Sequence, residues 1–126
     1  MRTWIWAGIL VAASTGTALA QAPTDTAFRK WCLPCHDAGP GAKIKLGPPL
    51  NGLDGRAVGT FAGFNYSDAV KNSGITWNEA SFKEYVSNPM QRIPGTRMAF
   101  AGVRDPKEVA DLWAYLKQLG ADGKPK

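Results

Sequence analysis

The chain has 126 residues, with 15 Lys plus Arg against 10 Asp plus Glu and a formal charge of +5. One domain is expected at this length, and the basic residues are too dispersed for a nucleic-acid-binding run. Two cysteines and one histidine, grouped within five residues, cannot close a tetrahedral zinc site.

Met1-Arg2 makes a short basic start, and an apolar run follows from Trp4 to Ala13. Ala18-Leu19-Ala20 supplies a small-residue cleavage site. Together they read as a secretory signal peptide over residues 1–20, leaving a mature domain of residues 21–126. The apolar run is shorter than the about 20 residues a membrane span needs. The mature chain is therefore expected to be exported and soluble, with no stable membrane anchor. Without Arg2 its charge is +4, which suits an acidic docking partner.

A short helix is predicted from Asp25 to Trp31, with Thr24 as N-cap and Ala27 and Phe28 buried. Cys32-Leu33-Pro34-Cys35-His36 follows at once. This spacing is the c-type haem attachment pattern. The two thiols add across the haem vinyl groups as thioethers, and the adjacent imidazole reaches the iron. A redox-active dithiol would instead open a helix within a strand–helix–strand pattern, which is not found. A disulfide would suit a secreted chain but leaves the histidine unexplained. The motif predicts one covalently attached haem c per chain and, with the leader, a bacterial periplasm.

From Asp37 to Tyr66 glycine and proline recur too often for long helices or regular strands. So long a loop is reasonable if it wraps a flat apolar cofactor that serves as the core. Ser67 to Asn72 reads as a short helix stopped by Gly74. Asn78 caps another from Glu79 to Ser87, with Phe82, Tyr85 and Val86 on one face and Pro89 blocking continuation. Asn88 to Val103 reads as a second loop. The last helix has Asp105 as cap, Pro106 at its first position and Glu108 completing a capping box. Val109, Leu112, Trp113, Leu116 and Leu119 follow helical spacing, Gly120 ends it, and residues 121–126 are expected to fray. The fold class is all-α: short helices and long loops wrapped around one covalently bound haem.

The sixth iron position decides between electron transfer and ligand chemistry. No second histidine exists, so the candidates in the mature chain are Met90 and Met98. The Pro94-Gly95 turn can preorganise Met98, although core packing by a flexible thioether is open to both.

The chain resembles the class I c-type cytochromes, of the mitochondrial-like kind found as small soluble bacterial carriers. The resemblance rests on Cys32 to His36, Gly47-Pro48-Pro49-Leu50, Gly55-Arg56, Phe64-Asn65-Tyr66-Ser67, Gly74-Ile75-Thr76-Trp77, Asn88-Pro89, Pro94 to Met98 and Ala110 to Leu116. It implies that His36 and Met98 are the iron ligands. It implies that Pro48 accepts the hydrogen bond of the free His36 ring nitrogen. Arg56, Tyr66 and Trp77 would hold the haem propionates, Tyr85 would bond near the Met98 sulfur, Thr96 would anchor the ligand loop and Phe100 would cover the haem edge. Phe28, Leu112 and Tyr115 would join the first and last helices. The chain departs from the family at Thr24, where glycine is usual, and at Val70, where asparagine often stands. Trp31, Met90 and Gln91 replace lysines that often ring the haem edge.

With both axial positions filled, the expected function is a diffusible periplasmic one-electron carrier and not an enzyme. It is expected to be monomeric and to dock redox proteins with an acidic or partly apolar surface. A haem enzyme or gas sensor would need an open sixth position, and an assembly module would need only a structural haem.

Overall fold

The computed structural model describes residues 8–9, 11–17 and 22–126, so most of the expected leader, including its cleavage site, lies outside the described residues. Five short helices occur among them, joined by long loops and two isolated antiparallel bridges, Ala57 with Thr76 and Leu119 with Pro125.

The first helix, α1 (Thr26–Trp31), is too short to persist alone. It is held by burying Ala27 and Phe28. The Phe28 ring meets Tyr115 of the last helix at 5.5 Å between centroids. Asp25, not Thr24, occupies the N-cap position, and its side chain caps nothing. Its carboxylate instead accepts from Arg29 Nε at 2.6 Å.

The last helix, α5 (Pro106–Lys117), starts as expected: Asp105 accepts from the Lys107 amide and Pro106 opens the first turn. The capping box does not form. Glu108 accepts from Lys30 Nζ of α1 at 2.6 Å. A surface pair of this kind contributes at most about 1 kcal/mol, so it orients the two helices more than it holds them. The helix stops at Lys117 with Gln118 as cap, short of Gly120. Residues 121–126 do not fray. They fold back, with Gly120 N–H donating to Lys124 O at 2.8 Å and Lys126 N–H to Gln118 O at 2.8 Å.

Between these ends lie α2 (Asp68–Lys71), α3 (Glu79–Ser87) and α4 (Pro89–Arg92). Ser67 caps α2 through the Val70 amide at 3.2 Å. Asn78 caps α3, and Ser81 returns the favour by accepting from the Asn78 amide at 2.9 Å. The box expected at α5 is therefore found at α3, with serine in place of glutamate. Pro89 does end α3, but it also opens α4, capped by Asn88. Proline suits a first helical position because no partner exists there for its missing N–H. The expected loop from Asn88 to Val103 thus begins with one helical turn.

Two hydrophobic clusters result. The larger joins Ala27 and Phe28 to Val86, Val103, Leu112 and Leu116. The smaller holds Val58, Val70, Tyr85 and Ile93. Trp77 packs against both. Leu112 and Leu116 are completely buried, whereas Met90 is 59% exposed. Leu112→Ala should therefore cost about 2–5 kcal/mol, read as a displaced denaturant midpoint of the cofactor-loaded protein. Met90→Ala should stay within about 0.5 kcal/mol.

Candidate cofactor site

The two clusters leave a cavity of about 510 Å³. Cys32, Cys35 and His36 line it, as do Met98, Arg56, Tyr66, Trp77, Tyr85, Thr96 and Phe100. Every site residue expected from sequence therefore faces one space. Met90 does not line it.

The turn that follows α1 presents the cysteines and the histidine. The Cys35 and His36 amides both donate to Cys32 O, at 3.0 and 2.8 Å. Burial pushes the Cys32 thiol up to about 12, with Cys35 adding to the effect. A redox dithiol needs the opposite shift, toward thiolate. Burial also pushes the His36 pKa down, against the raising effect of its bond to Pro48. The imidazole is thus neutral near pH 7, the form that donates a lone pair to a metal.

His36 Nδ1 lies 2.7 Å from Pro48 O. A carbonyl can only accept, so Nδ1 carries the proton and Nε2 keeps its lone pair. Gly47 closes behind the ring. Its amide donates to Cys35 O at 2.8 Å, and a Cβ there would overlap the imidazole. Space, not backbone conformation, requires this glycine.

Met98 is held through its own backbone. Its amide donates to Thr96 Oγ1 at 3.2 Å, and that hydroxyl pairs with Tyr85 OH at 2.7 Å. The partner recorded for Tyr85 is thus Thr96, which anchors the loop to α3. Arg97 adds a second tie, donating to Asn65 O at 3.1 Å. Val70 packs with Val58, Tyr85 and Ile93, so this side of the site is apolar where asparagine would have carried polar bonds.

Arg56 donates through Nη1 to Asn51 O at 2.8 Å, but its buried Nε has no partner. Burial pushes its pKa down. Tyr66 OH accepts from the Phe61 amide at 3.1 Å, which leaves its own proton to donate. Two unspent donors at the wall of an apolar cavity suit an anionic group. Phe100 meets Trp31 edge-on at 6.3 Å.

Sequence reasoning missed Asn51. Its side chain accepts from Gly39 N–H at 2.8 Å and donates to Gly39 O at 2.9 Å, closing the loop that carries Pro48. No local signal marks it, because its partner lies twelve residues away. Leu46 was also missed: it lines the cavity yet is 81% exposed, which puts it at the mouth.

A large apolar cavity with two thiols, a neutral imidazole, a thioether and unspent donors fits a haem attached through thioethers. These features define a c-type haem protein built from short helices. Among known proteins, the chain is 64% identical over 99 residues to cytochrome c2 of Rhodoplanes tepidamans, covering 79% of this chain and 92% of that one. It is 54% identical over 127 residues to cytochrome c2 of Blastochloris viridis, covering both chains completely. The solved structure of cytochrome cH from Methylobacterium extorquens matches with a TM-score of 0.68 at 41% identity, over 74% of this chain and 92% of that chain. No family model matches. The chain belongs to the class I cytochrome c family and carries one covalently bound haem c.

Changing both Cys32 and Cys35 to Ala should release all haem to acidified organic solvent, whereas the native chain should retain it. Met98→Ala should abolish the thioether-to-iron absorption band and lower the reduction potential, because a thioether favours ferrous iron. Met90→Ala should leave both unchanged, as its exposed side chain predicts.

Proposed function

We propose that this cytochrome c is a periplasmic one-electron carrier, not an enzyme, with His36 and Met98 as axial ligands of its haem. One observation carries the reading: the same cavity receives a neutral imidazole with a free Nε2 and the Met98 side chain on a tethered loop. With two protein ligands committed, no position is left for a substrate. When bound, haem supplies a one-electron ferric–ferrous couple. The protein sets its poise. Pro48 raises the basicity of His36, Met98 favours the reduced form, and Arg56 and Tyr66 supply donors for the propionates.

The remaining parts of the proposal concern address and partners. Residues 1–20 would be the cleaved export leader and residues 21–126 the mature, monomeric domain. No helix among the described residues is long and apolar enough to cross a membrane. Docking partners would be redox proteins with an acidic or partly apolar surface, meeting the cavity mouth near Leu46. Trp31, which lines the cavity, brings no charge there, and Met90 and Gln91 stand uncharged where lysines often ring the haem edge in the family. Lys30 brings little, because it is paired with Glu108.

The loaded protein should be low-spin in both oxidation states, with spectra unaltered by modest additions of exogenous ligand, and should be reduced rapidly and reversibly. A ligand-dependent spectrum would favour an enzyme or sensor instead.

Steering by Lys43, Lys45, Arg97 and Arg104 should be modest. The second-order rate with an acidic redox partner should fall only gently with salt, because apolar contact responds weakly to ionic strength, whereas charge steering is screened beyond about 10 Å at 0.1 M. Trp31→Lys should steepen that fall. A steep salt dependence that Trp31→Lys leaves unchanged would show that apolar contact is not what docks.

A further inference from the structure

The segment after α5 has no part in the site as described so far, yet it is folded back firmly. Two of its contacts fall on the two feet of one loop. At one foot, Gly52 N–H donates to Leu119 O at 3.2 Å, and a Cβ on Gly52 would come within 3.0 Å of the Ala121 Cα. At the other, Gly123 lies against Gly39, with a Cβ overlapping the Gly39 carbonyl. Asn51 ties the feet together through both polar atoms of the Gly39 backbone. Beside them the Leu50 amide donates to Asp37 O at 2.9 Å. The loop so closed contains Pro48, the acceptor of the His36 Nδ1–H.

We infer that this segment is a strap that positions Pro48 against His36 and thereby tunes the haem potential. The inference rests on His36 being an iron ligand. A hydrogen bond at Nδ1 raises the basicity of the ligating nitrogen. A more basic imidazole stabilises the ferric state. Loosening the strap lets Pro48 withdraw, weakens that bond and raises the potential. Asn51, Gly52 and Gly123 are positioning residues, since none touches the imidazole itself.

Gly123→Ala is the direct test, because its backbone is left-handed at φ 79° as well as crowded. In the full-length haem-loaded protein it should lower the oxidised-to-reduced ratio at fixed ambient potential about threefold, a rise of about 28 mV at 59 mV per decade for one electron. It should also speed hydrogen exchange of the His36 Nδ1–H in the ferrous protein. A chain stopped after Gly120 should move both readouts the same way. Val109→Ala is the control, as it removes buried methyl groups outside the cavity and lowers stability without touching the loop. Unchanged potential and unchanged His36 exchange in Gly123→Ala would overturn the strap, whether or not stability falls as in Val109→Ala. If the shortened chain does not fold, Gly123→Ala decides alone. A native spectrum without histidine ligation would instead defeat the ligand reading, and the exchange measurement on His36 would still judge the strap.

Discussion

Filling the central cavity is the constraint on which the rest depends. The space of about 510 Å³ is lined mostly by apolar side chains and opens at Leu46. Left unfilled, it forfeits about 25 cal/mol for each Å² of apolar wall that stays unburied. The fold therefore presupposes a guest. This resolves the oddity of a domain whose helices are mostly under ten residues and whose longest segments are glycine-rich loops. Those loops need not pack on each other. They need to reach a flat apolar object and bring donors to it.

The two sides of the site are held by different means. His36 is fixed by rigid backbone, with Gly47 behind its ring and Pro48 on its proton. Met98 hangs from side-chain hydroxyls, Thr96 and Tyr85, on a loop that runs from α4 to α5 and is tied to α3. A ring with one free nitrogen is defined by a single good bond and a close wall. An unbranched thioether has more rotatable bonds, so its backbone must be tethered for the sulfur to find one place. Burial of Arg56 and its unmatched Nε follow the same logic of a charge held ready for a counterpart, since an unpaired buried polar atom is costly.

The chemistry was legible in the sequence because it is local. Cys32 to His36 needs no long-range information, whereas the Pro94-Gly95 turn only favours Met98 over Met90, and the family resemblance is what decides between them. The α5 start was legible because it too is local. What failed was competition between partners. Glu108 could fold back to its own helix or reach Lys30, and only the assembled structure shows that Lys30 wins. Pro89 reads equally as the end of one helix and the first residue of the next. The fold-back of residues 121–126 depends on Gly39 and Gly52, far off in the chain, so terminal position suggested fraying where packing gives order. Asn51 was invisible because its only signal is a pairing across a loop.

The contact between α1 and α5 has a consequence for how the molecule is made. Lys30 and Glu108 are 78 residues apart in the chain. A chain that emerges from its N-terminus delivers α1 and the cysteine pair long before the helix that covers Phe28 exists. Closing so long a loop is also slow and entropically costly. During that interval Phe28 is without its cover, and the turn that carries Cys32 and Cys35 follows a helix that nothing yet holds in place.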